Sequence, residues 1–316
     1  MRAAPTLVTG ATGFVGGHLI DRLAGSSPVI GWYRPSGHSP SGLAAVDWEA
    51  VDVLDRSRVI EAVHAAQPSR IYHLAAAPHV GASWQTVVTN LETNALGTHY
   101  LLEAVRKLGR PCRVLVVSSA QIYQAGDEPI DEGAPCVPAN PYGLSKLAGD
   151  ELALRAATED GLDVIVARPF NHAGPRQSPE YVVSSFARQI ARIEAGLTPP
   201  VIQVGNLEAR RDLTDVRDVV AAYERLMDAA PVGRPYNICS GRAWRVADLL
   251  DELRQLSKVS VRVEVDEQRL RPIDVPVIQG DATRIRTELG WMPRIKVEET
   301  LRDTLEWWRD QVRAAR

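Results

Sequence analysis

The most informative stretch is Thr9-Gly10-Ala11-Thr12-Gly13-Phe14-Val15-Gly16, which lies between a short apolar segment and an amphipathic one. Gly10, Gly13 and Gly16 have the spacing that lets a strand-to-helix turn bring its backbone close to a diphosphate. The N–H groups at the start of the following helix then point at the phosphates. A plain turn would need only one or two of these glycines. The stretch therefore predicts the first strand–helix turn of a dinucleotide-binding fold.

Strand-like apolar segments and helix-period segments alternate on both sides of this turn. The predicted strands are Thr6–Thr9, Val29–Tyr33, Arg70–Leu74, Arg113–Ser118 and Asp163–Ala167, and the predicted helices are Gly16–Ala24, Ser57–Ala66, Thr93–Leu108 and Tyr142–Thr158. This alternation predicts a parallel sheet covered by helices on both faces, which right-handed crossovers make doubly wound. We therefore predict an α/β protein with a Rossmann-type sheet.

The alternation of predicted strands and helices becomes irregular after about Phe170, where proline and glycine become frequent. We predict a dinucleotide-binding Rossmann domain over residues 1–170 and a smaller, mixed α/β substrate-binding lobe over residues 171–316. A strand near 235–240 is expected to return to the main sheet. Ligands of open α/β sheets bind at the carboxyl edge of the strands, so the cleft between the two parts is the expected site.

Composition limits the classes of partner that the sequence favours. The 36 basic and 39 acidic residues give a net charge of −3, which favours neither nucleic acid nor an acidic membrane surface as a partner. The cysteines, Cys112, Cys136 and Cys239, form no CxxC pair, and the histidines have no metal-binding spacing. We therefore expect no metal site and a reducing, cytoplasmic location, since no window is apolar enough for a membrane helix.

The end of the second predicted strand bears on the choice of cofactor. The segment Trp32-Tyr33-Arg34-Pro35-Ser36 lacks the acidic residue that binds the ribose 2′-hydroxyl in NAD-specific folds. Arg34 and Ser36 can instead bind a 2′-phosphate, which favours NADP(H) and leaves NAD(H) open. The alternative is that Arg34 is a solvated loop residue. Asp52 and Val53 are placed to cap the adenine, although an aspartate in a turn is as often structural.

Tyr142 and Lys146 stand four residues apart at the start of a predicted helix, and therefore on one face of it. A nearby ammonium lowers the pKa of a phenol, ordinarily about 10, and can also hold a ribose. Ser118 and Ser119 follow a predicted strand and lie at the same edge of the sheet. Either serine can hydrogen-bond a substrate oxygen beside Tyr142, and either can be a plain capping residue.

These motifs, together with His73-Leu74-Ala75-Ala76 and Asn94, resemble the extended short-chain dehydrogenase/reductase family of nucleotide-sugar enzymes over essentially the whole chain. The resemblance implies that Ser119, four residues before Tyr123, is the catalytic serine beside Tyr142 and Lys146. The full predicted cofactor site is Gly10, Thr12, Gly13, Phe14, Val15, Gly16, Arg34, Ser36, Asp52, Val53, Leu74, Ala75, Ala76, Asn94, Tyr142 and Lys146.

Gln121 bears on the reaction. Dehydratases of this family carry a glutamate two residues before the tyrosine that is Tyr123 here, and that glutamate removes a proton next to the 4-keto group. A neutral amide cannot act as a general base. Gln121 therefore argues against a GDP-mannose 4,6-dehydratase.

Three polar clusters follow in the second part of the chain, in Asn171–Arg176, Gly205–Asp218 and Arg269–Val275. Arginines can grip a diphosphate with two hydrogen bonds, although each one alone can be a solvated charge. These clusters resemble the GDP-mannose 4,6-dehydratase branch, and most of all its 4-ketoreductases. By that resemblance the predicted substrate-binding residues are Ser83, Asn171, Asn206, Arg211, Arg271 and Asp274.

The resemblance implies an oxidoreductase that uses NADPH to reduce the 4-keto group of a GDP-4-keto-6-deoxy-hexose, which forms GDP-D-rhamnose, with Tyr142 as the proton donor. The alternatives are a nucleotide-sugar 4-epimerase with tightly bound NAD, a dehydratase despite Gln121, and a non-catalytic dinucleotide-sensing protein. The helices Thr93–Leu108 and Tyr142–Thr158 resemble the pair through which the family dimerises, so we also expect a homodimer.

Overall fold

A computed structural model describes residues 4–25, 28–37, 46–77, 84–126, 128–270 and 275–316. Three of the predicted substrate-binding residues, Ser83, Arg271 and Asp274, lie outside the described residues.

The main sheet has seven parallel strands in the order β10-β6-β5-β4-β1-β2-β3. In chain order the strands are β1 Thr6–Thr9, β2 Val29–Tyr33, β3 Val46–Ala50, β4 Arg70–His73, β5 Arg113–Val117, β6 Val164–Pro169, β7 Asn171–Ala173, β8 Val201–Val204, β9 Arg210–Asp215, β10 Pro235–Ile238, β11 Ala243–Arg245, β12 Arg262–Val265 and β13 Val277–Ile278. The predicted α/β class and doubly wound parallel sheet are confirmed. The central strands β5 and β6 are nearly continuous apolar runs because helices bury both of their faces.

The described residues form ten α-helices, and some of them cover the two faces of this sheet. They are α1 Phe14–Leu23, α2 Arg56–Ala66, α3 Val87–Leu91, α4 Gly97–Lys107, α5 Pro141–Thr158, α6 Val182–Glu194, α7 Val216–Ala229, α8 Val246–Gln255, α9 Thr283–Leu289 and α10 Val297–Ala314. One apolar cluster joins α1, α7 and α9 to one face of the sheet, and another joins α2, α4 and α5 to the opposite face.

The helix predicted over Thr93–Leu108 differs from the observed one. The chain is already helical at Val87, passes through a π-helical turn at Glu92–Leu96, and continues as α4. Periodicity does not reveal such a turn, because a π turn inserts one residue without changing which residues are apolar. The turn buries Asn94.

The remaining strands form two small sheets beside the main one. β9 pairs antiparallel with β11 and parallel with β7 and β13, while β8 pairs parallel with β12. A separate apolar cluster holds α6, α8 and α10 against these strands. β10 returns to the main sheet and lies parallel to β6. The division of the chain into 1–170 and 171–316 stays a prediction.

Within the parts of the chain that the structure describes, every helix is too short or too polar to span a lipid bilayer.

Candidate active site

The turn after β1 is built so that only glycine fits it. Gly10 has a φ of 65°, and a Cβ there would lie 2.8 Å from the backbone nitrogen of Ala75. A Cβ on Gly16 would lie 2.2 Å from the carbonyl oxygen of Gly10. Helix α1 begins after Gly13, whose position carries no side-chain cap, so the first N–H groups of the helix can donate to a ligand.

A cavity of about 860 Å³ runs along the carboxyl edge of the main sheet above this turn. Of the predicted cofactor-binding and catalytic residues, it is lined by Gly10, Thr12, Gly13, Phe14, Val15, Gly16, Arg34, Ser36, Asp52, Val53, Leu74, Ala75, Ala76, Ser119, Tyr142 and Lys146. A volume of this size accommodates a cofactor and a small substrate. Asn94 does not line the cavity.

The carboxyl ends of β2 and β3 form one end of the cavity. Arg34 and Ser36 follow β2 and are exposed to solvent, where they can meet an anionic group. Asp52 lines the wall, but its carboxylate also accepts a hydrogen bond from the backbone N–H of Leu54 at 3.0 Å. Asp52 therefore stabilises its own turn, as the alternative interpretation of this aspartate expected.

The opposite end of the cavity holds the predicted catalytic residues Ser119 and Tyr142. Asn140 caps α5 by accepting a hydrogen bond from the Gly143 N–H at 2.8 Å, which sets the start of the helix and the position of Tyr142. The Tyr142 hydroxyl lies close enough to Ser119 for a hydrogen-bonding interaction that lowers its pKa. The Ser118 hydroxyl is buried without a partner. The structure thus brings Ser119, and not Ser118, to Tyr142.

The charges at this end differ from the sequence-based expectation. Burial raises the pKa of Tyr142 to about 12, the nearby Tyr181 adds to this effect, and the hydrogen bond with Ser119 opposes it. Burial lowers the pKa of Lys146 to about 8. The Lys146 ammonium donates to the carbonyl oxygen of Val117. The predicted lowering of the Tyr142 pKa by Lys146 is therefore wrong for this structure, because burial of the phenol is the largest effect on its pKa.

Asn94 lies outside the cavity lining but is hydrogen-bonded to residues on both sides of it. Its amide nitrogen donates to Ser145 Oγ at 2.8 Å, and its amide oxygen accepts from the Ala77 N–H at 2.9 Å. Ser145 Oγ in turn donates to the Tyr142 carbonyl oxygen at 2.8 Å. Asn94 thus connects the chain after β4 with the first turn of α5.

A second set of hydrogen bonds fixes the proton on His73. Thr98 Oγ1 donates to the Asn94 carbonyl oxygen at 2.8 Å, so it must accept from His73 Nε2 at 3.1 Å. His73 Nδ1 then accepts from Thr9 Oγ1 at 2.8 Å, and Thr9 accepts from the Ala75 N–H. Burial, together with the charge of Lys146, lowers the pKa of His73 to about 3. His73 is therefore neutral and joins β1, β4 and the π turn.

A buried ion pair anchors α5 to β6. The Arg168 guanidinium donates to the two carboxylate oxygens of Asp150 at 2.9 and 2.8 Å, and also to the Tyr123 hydroxyl at 2.9 Å. Tyr123 donates to Asn237 Oδ1 at 2.8 Å. Tyr123, four residues after Ser119, thus connects the chain beyond Ser119 to the neighbouring strands.

Gln121 lines the cavity next to the reactive hydroxyls. Its side-chain oxygen accepts a hydrogen bond from Asn140 Nδ2 at 3.2 Å. Since Asn140 also caps α5, the amide of Gln121 helps to hold the start of that helix and has no proton-accepting role.

The three predicted substrate residues that the structure describes divide into two groups. Asn171 lines the cavity. Asn206 and Arg211 do not: Asn206 Oδ1 accepts from the Glu208 N–H at 2.9 Å, and the Arg211 guanidinium donates to the carbonyl oxygen of its neighbour Arg210 at 2.8 Å. The structure therefore does not bring Asn206 and Arg211 to the cavity wall.

His172 follows Asn171 and also lines the cavity. Its Nδ1 donates to the Phe170 carbonyl oxygen at 3.0 Å, and its ring stacks on Phe14 with 6.0 Å between the centroids. These contacts give His172 a structural role in the cavity wall.

Other lining residues carry no motif that the sequence would reveal. They are Trp32, Tyr33, Gly37, Val51, Leu54, Thr89, Thr93, Val117, Ala120, Pro169, Phe170, Gln177, Ser178, Tyr181 and Tyr223. Several of them follow the ends of β2, β3, β5 and β6, and this position in the sequence could have identified them as lining residues. Tyr223 lies inside α7, far in sequence from any strand end, so no such position identifies it.

In the part of the chain that the structure describes, no three His, Cys, Asp or Glu side chains come together in a way that could hold a metal ion.

A doubly wound parallel sheet with serine, tyrosine and lysine at its carboxyl edge defines an extended short-chain dehydrogenase/reductase. The chain belongs to the family described as GDP-mannose 4,6 dehydratase, which matches residues 7–304. It is 35% identical over 309 residues, 97% of each chain, to the GDP-6-deoxy-D-mannose reductase of Pseudomonas aeruginosa.

Solved structures agree with this assignment. The structure of RMD from Pseudomonas aeruginosa complexed with NADPH has a TM-score of 0.85 and 32% identity, covering 98% of this chain and 100% of that one. A putative epimerase from Burkholderia cenocepacia has a TM-score of 0.88 and 33% identity, covering 98% and 99%.

Proposed function

We propose that this protein is an NADPH-dependent reductase of the 4-keto group of a GDP-4-keto-6-deoxy-hexose, and that it forms GDP-D-rhamnose. The observation that carries the proposal is the pair of Tyr142 and Ser119 in the cavity, with a phenol whose pKa is about 12. The name of the Pseudomonas aeruginosa relative and its complex with NADPH support the same substrate class and cofactor.

The protonated phenol suits reduction. When a ketone accepts hydride at carbon, its oxygen becomes an alkoxide that needs a proton. A Tyr142 pKa of about 12 keeps this proton on the phenol at physiological pH, where it is available to that oxygen. Ser119, close to Tyr142, orients the same carbonyl oxygen. A bound nicotinamide supplies the hydride. Oxidation of a sugar alcohol, with which epimerases and dehydratases begin, would need the phenol deprotonated.

Lys146 has a positioning role in this proposal. An ammonium has three donor hydrogens, and one of them goes to the Val117 carbonyl oxygen. The other two can hold the nicotinamide ribose, so Lys146 orients the cofactor beside Tyr142.

Gln121 supports reduction over dehydration. Its oxygen is held by Asn140, and an amide cannot take up the proton that a dehydratase must remove. This leaves Tyr142 as the proton donor and no general base at the position where the dehydratases carry glutamate.

The preference for NADPH over NADH is proposed from Arg34 and Ser36. Both lie at the cavity end opposite Tyr142 and are exposed, and neither is an acid that would repel a 2′-phosphate. NAD(H) stays the alternative cofactor.

The substrate site is a proposal that combines both parts of the chain. Asn171 lies on the cavity wall, where it can meet the nucleotide diphosphate. Arg211 and Asn206 lie in the second part of the chain and would have to reach the same ligand from outside the cavity. Roles for Ser83, Arg271 and Asp274, which lie outside the described residues, stay predictions from the resemblance.

We also propose a cytoplasmic homodimer. Val88, Leu91, Leu96 and Leu144 lie on the helices predicted to dimerise or directly before them, with 67, 37, 45 and 50% of their surface exposed. Large apolar side chains exposed together on neighbouring helices are typical of a protein interface. Sedimentation equilibrium tests the dimer, and Leu144→Glu should shift the mass towards the monomer.

The test of function is NADPH oxidation with GDP-4-keto-6-deoxy-mannose made in place by a separate dehydratase, with the product identified by NMR. We expect one NADPH consumed per sugar reduced at C4. Tyr142→Phe should abolish this turnover, whereas Tyr100→Phe, outside the cavity, should leave it intact. Interconversion of nucleotide sugars without cofactor consumption would overturn the proposal in favour of the epimerase.

A further inference from the structure

Three residues of the cavity lining carry polar atoms without partners. Among the described residues, Ser118, Gln177 and Tyr223 line the cavity, and each has a buried side-chain oxygen that makes no hydrogen bond. Buried polar groups in proteins almost always have partners, so an unpartnered one on a cavity wall points to a ligand. The position of Tyr223 identifies which part of a ligand it would meet.

Tyr223 contributes to the cavity lining from helix α7, which packs against the main sheet. It lies on α7, which begins at Val216, where Gly174 packs so closely that a Cβ would be 2.6 Å from a Val216 methyl group. Side chains of a helix tilt towards its N-terminus. Tyr223 packs in the apolar cluster between α7 and the sheet and contributes to the cavity lining, although the residue is 0% exposed.

This part of the cavity lies at the end that contains Tyr142. Tyr142 is near enough to add to the rise that burial causes in the pKa of Tyr223. The cavity lining at the carboxyl ends of β5 and β6 includes the apolar residues Val117, Pro169 and Phe170. A nicotinamide ring next to Tyr142 would rest on such a surface, and the carboxamide is the one hydrogen-bonding group that the ring carries.

We propose that the Tyr223 hydroxyl binds the carboxamide of the nicotinamide from the floor of the cavity. The inference rests on the proposed function, because it requires a nicotinamide cofactor at the Tyr142 end. A hydrogen bond to the carboxamide restricts rotation of the ring about its bond to the ribose. Tyr223 is thus a positioning residue that determines which face of the ring is turned towards the substrate.

The test compares two ligands that differ only in the ring. We would titrate wild type and Tyr223→Phe with NADP⁺ and with 2′-phospho-ADP-ribose, which lacks the nicotinamide, and follow the binding by calorimetry. Loss of one buried hydrogen bond should weaken NADP⁺ binding roughly tenfold. Binding of 2′-phospho-ADP-ribose should not change. Tyr72→Phe is the matched control, because Tyr72 is equally buried in the same apolar cluster but does not line the cavity.

A second measurement needs no variant. An NADP⁺ analogue with plain pyridine in place of nicotinamide should bind wild type about as weakly as NADP⁺ binds Tyr223→Phe. Equal weakening of both ligands by Tyr223→Phe would show a merely structural role and overturn the inference, as would unchanged NADP⁺ binding. If wild type bound none of these ligands and no NAD⁺, the proposed function itself would fail.

Discussion

The amide nitrogen of Asn94 lies 2.8 Å from Ser145 Oγ, one residue before Lys146. Asn94 sits in a π-helical turn on one side of this contact, and Ser145 sits in the first turns of α5 on the other. A Cβ on Gly149 would lie 2.5 Å from the Asn94 carbonyl oxygen, so the two segments approach at backbone distance. The position of Tyr142 and Lys146 thus depends on a residue that does not line the cavity.

Asn94→Ala should therefore reduce both stability and catalysis. The change leaves Ser145 Oγ and the Ala77 N–H without their buried partner, which should lower the free energy of unfolding by about 1–3 kcal/mol. We expect kcat to fall more than the affinity for NADP⁺, because the residue positions α5 and lines no part of the cavity. Urea unfolding and steady-state kinetics measure the two effects.

Asn90→Ala is the control for this prediction. Asn90 is as buried as Asn94 but carries an unpartnered amide nitrogen and lies outside the cavity lining. Its replacement should leave kcat near the wild-type value. Equal losses of kcat in the two variants would contradict the positioning role of Asn94.

Local patterns predicted most of the main sheet, because glycine spacing and apolar runs reflect contacts close in sequence. The exposed end of β2 with Arg34 and the helical pair of Tyr142 and Lys146 were predictable for the same reason. Long-range features were not. The role of Asn94 depends on a π turn and on Ser145, 51 residues away. The raised pKa of Tyr142 depends on burial by distant segments, which a motif does not contain.

Ser119→Ala removes the hydroxyl that lies close to Tyr142 and lowers its pKa. A donor aimed at the oxygen where charge develops contributes about a hundredfold or more to kcat. We therefore expect a loss of this size at saturating NADPH, with little change in NADP⁺ affinity. Ser118→Ala, at the neighbouring hydroxyl, should reduce kcat much less. A larger effect at Ser118 than at Ser119 would reverse the assignment of the catalytic serine.

Arg34→Ala tests the preference for a 2′-phosphate. A charge-assisted hydrogen bond lost from the phosphate should raise KM for NADPH about ten- to a hundredfold. KM for NADH, which has no phosphate there, should stay unchanged. Arg22→Ala removes an exposed arginine that pairs with Glu224 away from the cavity, and should affect neither cofactor. Similar changes for NADPH and NADH would count against Arg34 as the phosphate ligand.

The lowered pKa of Lys146 predicts how activity depends on pH. In the folded protein the ammonium loses its proton near pH 8, whereas in the unfolded chain it keeps that proton up to its ordinary value of 10.5. Between these values the unfolded state binds more protons, so the contribution of Lys146 to stability rises with pH. Ribose binding needs the ammonium, and kcat/KM for NADPH should therefore fall as pH rises through about 8. Lys146→Arg keeps its charge throughout this range and should remove that fall even if its overall rate is lower. A fall that persists in Lys146→Arg would mean that another group, and not Lys146, controls the alkaline limb.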